Sequence, residues 1–159
     1  MTVYAMAWAK SGKPSSGPLV LTYPEDASQT FAVGDPVKLD TAGQVLLAVD
    51  TEGSHGIAKR AASGVENTDI QVTLHNPDDL YTASASEAGA THTLAQSDVG
   101  LRCSYIKSTV TGETTKTVVD LSDTQADVLE VVGLKDPVGT VDGRVYFRWV
   151  RAQIIPRGT

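Results

Sequence analysis

An all-β fold is the class this sequence predicts: a small β-barrel or β-sandwich of about eight or more short antiparallel strands. Three observations predict it. Apolar residues recur with period two in one run after another, the signature of a half-buried strand. Gly, Pro, Asp and Asn turn signals separate those runs at roughly ten-residue spacing. No window of a dozen residues sustains the 3.6-residue apolar period of an amphipathic helix.

The elements follow in order. In "YAMAWAK" Tyr4, Met6 and Trp8 alternate with Ala5, Ala7 and Ala9, so a strand here puts the three bulky side chains on one face. "SGKPSSGP" reads as a linker or turn, and "LVLTYP" leads into a polar loop. "PVKLD" and "QVLLAVD", joined by Thr41-Ala42-Gly43, form a β-hairpin that puts Val37, Leu39, Val45, Leu47 and Val49 on one core face. Pro36 is compatible with a strand start, where its missing N–H is tolerated. "GIAKRAA" is a further short strand. "DIQVTLHNP" turns Ile70, Val72 and Leu74 inward and Gln71, Thr73 and His75 outward, and "LYTAS" adds another strand. "THTLAQSDVG" holds at most one helical turn. Strands resume in "LRCSYIKS", "KTVVDLS", "ADVLEVVGL" and "GRVYFRWVRAQII". In the last of these Val145, Phe147 and Trp149 share the core face, opposite Arg144, Tyr146 and Arg148.

The chain of 159 residues suits one domain, 31–159, with residues 1–30 as an N-terminal arm and linker. Two readings of that arm stand side by side. It docks elsewhere, on a neighbouring copy or a partner, or its strand folds back onto the sheet of its own domain.

Candidate chemistry is sparse. His55, His75 and His92 lie at no mutual ligand spacing and Cys103 is the only cysteine, so neither a metal site nor a disulfide framework is expected. His75 and His92 read as solvated. Asp78 and Asp79 are adjacent, a poor arrangement for a shared acid–base site and an ordinary one for a turn after Pro77. "DTEGSHG" lacks the oxygen-ligand run of a calcium loop. No Gly-x-Ser-x-Gly elbow and no phosphate-cradling glycine loop occurs. The expectation is a protein that works through its surfaces, without catalytic residues, metal or cofactor.

The charge pattern points to where such a surface lies. The net charge of −6 argues against a nucleic-acid partner. No apolar run is long enough to span a bilayer, and the N-terminus lacks the basic leader and apolar block of a secretory signal, so synthesis in a cytoplasm is expected. All nineteen acids fall between Glu25 and Asp142, leaving both ends basic. The candidate interface residues are therefore Tyr4, Met6, Trp8, Lys10 and Lys13 in the arm, and Arg144, Tyr146, Arg148, Arg151 and Arg157 at the other end. Complementary charge would steer them onto an acidic protein partner.

The order "F-x-x-GDPV-x-L…G-x-V…GIA-x-x-A", followed by "I-x-V-x-L", "VGLR" and "VVDLS…DVLEVVGL-x-DPVGT-x-x-GRVYFRWV", resembles the capsid decoration, or cement, proteins of tailed bacteriophages. The resemblance covers roughly Phe31 to Gln153, and "DPVGTVDGRVYFRWV" is its most distinctive part. It implies a barrel-like module, commonly a homotrimer, seated on the outer surface of the virion head, where it bridges major capsid subunits and stabilises the shell. No sharp binding motif allows family interface residues to be carried over. The alternatives are another phage head or tail structural protein, or a carbohydrate-binding β-sandwich.

Overall fold

The computed structural model describes residues 2–11, 17–49 and 52–150. The described residues form eleven strands: β1 (Ala7–Lys10), β2 (Val20–Pro24), β3 (Pro36–Leu39), β4 (Val45–Leu47), β5 (Gly56–Ala58), β6 (Asp69–Leu74), β7 (Leu80–Ser86), β8 (Arg102–Lys107), β9 (Thr117–Asp120), β10 (Leu129–Leu134) and β11 (Arg144–Trp149). One 3-10 turn, Gln96–Asp98, is the only helical element among them. The all-β reading holds, with no helix long and apolar enough to cross a membrane among the described residues.

The strands divide into two sheets. Five of them, in the order β2-β6-β5-β3-β4, form a sheet whose ends meet in a bridge between Glu25 and Val45. Its β3–β4 hairpin forms as the sequence predicts. The Asp40 carboxylate accepts hydrogen bonds from the Ala42 and Gln44 N–H groups, and Gly43 takes the positive φ of 80° that the turn demands. Its core holds Phe31, Val37, Val45, Ile70, Val72 and Leu74. Val49 does not join them: the strand ends at Leu47, and Val49 lies exposed beyond it. Thr73 is buried despite its outward position, pressed against β2 and β5 on either side.

The second sheet runs β1-β7-β11-β10-β8-β9, and β9 returns to pair in parallel with β7 through Ala85–Val119 and Ser86–Asp120. Strands β7, β11, β10, β8 and β9 therefore close a ring. That parallel pair is the exception to the antiparallel order expected from the sequence. Inside the ring pack Tyr81, Tyr105, Leu129, Val131, Phe147 and Trp149. The alternation read in β11 is the one observed, with Val145, Phe147 and Trp149 buried.

Residues 1–30 do not stand apart as an arm. Strand β2 belongs to the first sheet and β1 pairs with β7 of the second, Ala7 opposite Thr82 and Trp8 opposite Tyr81. The backbone of Tyr4 continues this pairing: its N–H donates to Ser84 Oγ at 2.8 Å and its carbonyl accepts from the Ser84 N–H. The shared face expected for Tyr4, Met6 and Trp8 fails. Val3 and Met6 are the buried residues, each 2% exposed, whereas Tyr4 is 41% exposed. Regular strand begins only at Ala7, so Tyr4 and Met6 precede the stretch in which strict alternation holds.

The two sheets are tied by polar contacts as well as by packing. Asp35, buried in the β3 approach, accepts from Thr117 Oγ1 at 2.8 Å and pairs with Lys107 Nζ, both on the second sheet. The Tyr105 hydroxyl donates to the carbonyl of Val49. Because Trp149 is fully enclosed in the ring, Trp149→Ala is expected to lower the free energy of unfolding by about 3–5 kcal/mol in urea denaturation.

Candidate interaction surface

The side chains of β11 that point away from the ring form the middle of an ordered outer face. Arg144 is held by Asp136 in a bidentate pair, Nε to Oδ2 and Nη2 to Oδ1, each at 2.9 Å. These bonds hold the Asp136 carboxyl below the usual carboxylate range and raise Arg144. The Tyr4 ring lies against the guanidinium, 4.3 Å from its central carbon, so the N-terminal segment is fastened to β11 by a cation–π contact. Lys10 reaches toward Tyr146 from β1, with Nζ 6.0 Å from the ring centre.

Farther along the same face, Arg148 donates to Glu130 Oε2 at 2.8 Å, and Arg102 lies 3.9 Å from that carboxylate while bonding Asp127 at 3.0 Å. The register explains this ladder. Glu130 is opposite Arg148 on one side and opposite Arg102 on the other, so three neighbouring strands place charges in one row. Gly133 of β10 lies opposite Tyr146, near enough that a Cβ there would touch the ring edge at 3.9 Å, an ordinary van der Waals contact.

The structure thus brings Tyr4, Lys10, Arg144, Tyr146 and Arg148 onto one face, and adds Arg102, Glu130 and Asp136. Met6 is not available there, being part of the core. Trp8 is half-buried, its indole N–H donating to Asp79 Oδ2 at 3.1 Å. Lys13, Arg151 and Arg157 lie outside the described residues. Each described arginine of this face already has a carboxylate partner in its own chain, so the face is a mixed-charge ladder and the simple picture of a basic strand seeking acids does not describe it.

Several polar residues depart from their expected surroundings. His75 is sealed, with Nε2 3.0 Å from Ser54 Oγ and the ring stacked on Trp149. A Ser–His pair at this distance invites comparison with a nucleophile and its base. Both side chains are buried in the contact between the sheets, so no substrate reaches them as folded. His92 is largely buried, its Nε2 2.9 Å from Asp98. The turn expected after Pro77 forms, and Asp79 at its end is buried. The Cys103 thiol is pushed up to about 12 by burial and by Asp120 and Asp123, so it remains a thiol at neutral pH. No group of three or more His, Cys, Asp or Glu residues arranged to hold a metal occurs among the described residues.

Comparison with protein-family models, curated proteins and solved structures gives no match.

The pairing of Arg144 with Asp136 has a defined pH signature. A carboxyl depressed in the folded state stabilises above its unfolded value and loses that contribution as pH falls through its depressed value. Asp136→Asn is expected to lower stability by about 1 kcal/mol at pH 7, a figure discounted for partial exposure. The difference from the parent should vanish in acid, once Asp136 is protonated in both states, as followed by denaturation at a series of pH values.

Proposed function

We propose that this chain is a structural protein of a tailed-phage virion, a decoration protein that binds the outer surface of the head and bridges major capsid subunits as a homotrimer. The observation that carries the reading is the outer face of the second sheet. Tyr4, Tyr146, Arg144, Arg148 and Arg102 stand side by side on a closed sheet, each arginine oriented by a carboxylate of the same chain. Tyr and Arg are the residue types that dominate protein–protein interfaces. Side chains held in place before contact lose less conformational entropy on binding. Three copies on one shell would multiply contacts that are individually weak. The sequence likeness to phage decoration proteins over Phe31 to Gln153 supplies the partner class.

Removal of the N-terminal segment is a poor test of this proposal, because Val3 and Met6 are core residues and their loss destabilises the fold directly. Surface substitutions separate binding from folding. Purified protein is expected to be a trimer by light scattering and to bind expanded, undecorated heads saturably. Tyr146→Ala or Arg148→Ala should weaken that binding by about tenfold or more while leaving the melting temperature within a few degrees. A monomer without affinity for shells would reject the proposal, and hits on a glycan array would direct attention to the carbohydrate-binding alternative.

A further inference from the structure

The contact between the two sheets contains a histidine whose neutral form is built into the packing. His75 follows β6 of the first sheet. Its ring lies on Trp149 of β11 in the second, with centroids 4.1 Å apart and planes at 25°, and meets the edge of Tyr81 at 5.3 Å. It is fully buried.

The hydrogen bonds fix its tautomer. Ser54 has one hydroxyl proton, and two backbone carbonyls, Val37 at 2.9 Å and Gly56 at 2.8 Å, compete for it. The side of the hydroxyl that faces His75 is therefore a lone pair, and His75 Nε2 must carry the hydrogen it donates across 3.0 Å. That leaves Nδ1 as a bare nitrogen. It is buried and has no hydrogen-bond partner among the described residues. A second proton on this ring would thus have no acceptor, and its charge would sit between two aromatic rings.

The charged groups around the ring are committed elsewhere, and a weak cation–π attraction to Trp149 does not replace the lost hydration of the charge. From the β4–β5 connection come Ser54 and His55, whose Nδ1 accepts from the Leu39 N–H at 3.2 Å. Glu52 in the same connection is committed to Lys38. Strand β7 contributes Tyr81, and β8 contributes Tyr105, whose ring packs against Trp149. Asp79, just before β7, accepts the Trp8 indole N–H. Strand β11 supplies only the uncharged Trp149.

We propose that His75 is an acid-sensitive latch between the two sheets, holding them together as a neutral ring and releasing that contact when it is protonated. Burial, with His55 nearby, keeps its proton affinity well below the ordinary value. The unfolded chain therefore takes up a proton that the native state refuses. The resulting stabilisation is complete above the unfolded value, about pH 6.5, and is lost as pH falls below it. The latch does not depend on the virion reading.

The test compares the intact protein with His75→Gln, which keeps an N–H donor and cannot take up the charge. Between pH 7.5 and pH 5.5 the unfolding constant of the parent should rise about tenfold more than that of the variant, the rest of the chain being the same in both. Equal rises within twofold would overturn the proposal. Should His75→Gln fail to fold, nitrogen chemical shifts of the His75 ring in the unmodified protein decide the matter. A neutral Nε2–H ring throughout this range is expected, and a ring that titrates near pH 6.5 while the protein stays folded would overturn the latch.

Discussion

Strand β7 has two edges, and three partners use them. One edge is given to β11, from Tyr81 to Ser84. The other is divided: the N-terminal segment takes its first half and β9 takes Ala85 and Ser86. The rest of the second sheet depends on this division. The return of β9 to β7 closes the ring and removes an edge that would otherwise expose unpaired backbone groups. Together β9 and the N-terminal segment cover this edge, so β7 is buried along nearly its whole length, including its small polar residues Ser84 and Ser86. Each hydroxyl donates to a backbone carbonyl, Asp142 and Val119 respectively, at 2.8 Å.

A similar economy joins the sheets. The buried Asp35 carboxylate receives the Ala32 N–H from its own loop and Thr117 and Lys107 from the opposite sheet. Glu25 plays the closing role in the first sheet. Burial raises its proton affinity, but hydrogen bonds from Ser63 and Gly64 outweigh that and hold it below the usual range. These carboxylates fix the loops that the strands leave open.

Much of the fold was legible because strand identity is written in period-two alternation. Val145, Phe147 and Trp149 and the β3–β4 hairpin follow from local pattern and turn chemistry. What local pattern lacks is register between distant strands. Glu130 lies in a run that reads as a strand, yet only the pairing of β10 with both β11 and β8 sets it between Arg148 and Arg102. His75 was misplaced for the same reason. Alternation puts it on the solvent side of β6, and the second sheet, arriving from the other end of the chain with Trp149, covers that side. The N-terminal segment was ambiguous because three bulky residues separated from the body fit an exchanged arm and an edge strand equally well. Long-range contacts of β1 with β7 decide between them.

Under the proposed function, the outer face of the second sheet meets the shell and the exposed leucines of the first sheet, Leu19 and Leu21, do not. Hydroxyl-radical footprinting of the protein free and bound to expanded phage heads tests it side chain by side chain. The account predicts that Tyr4 and Tyr146 lose labelling on binding while Leu19 and Leu21, exposed on the first sheet, keep it. Protection of Leu19 and Leu21 with Tyr4 and Tyr146 unchanged would contradict it.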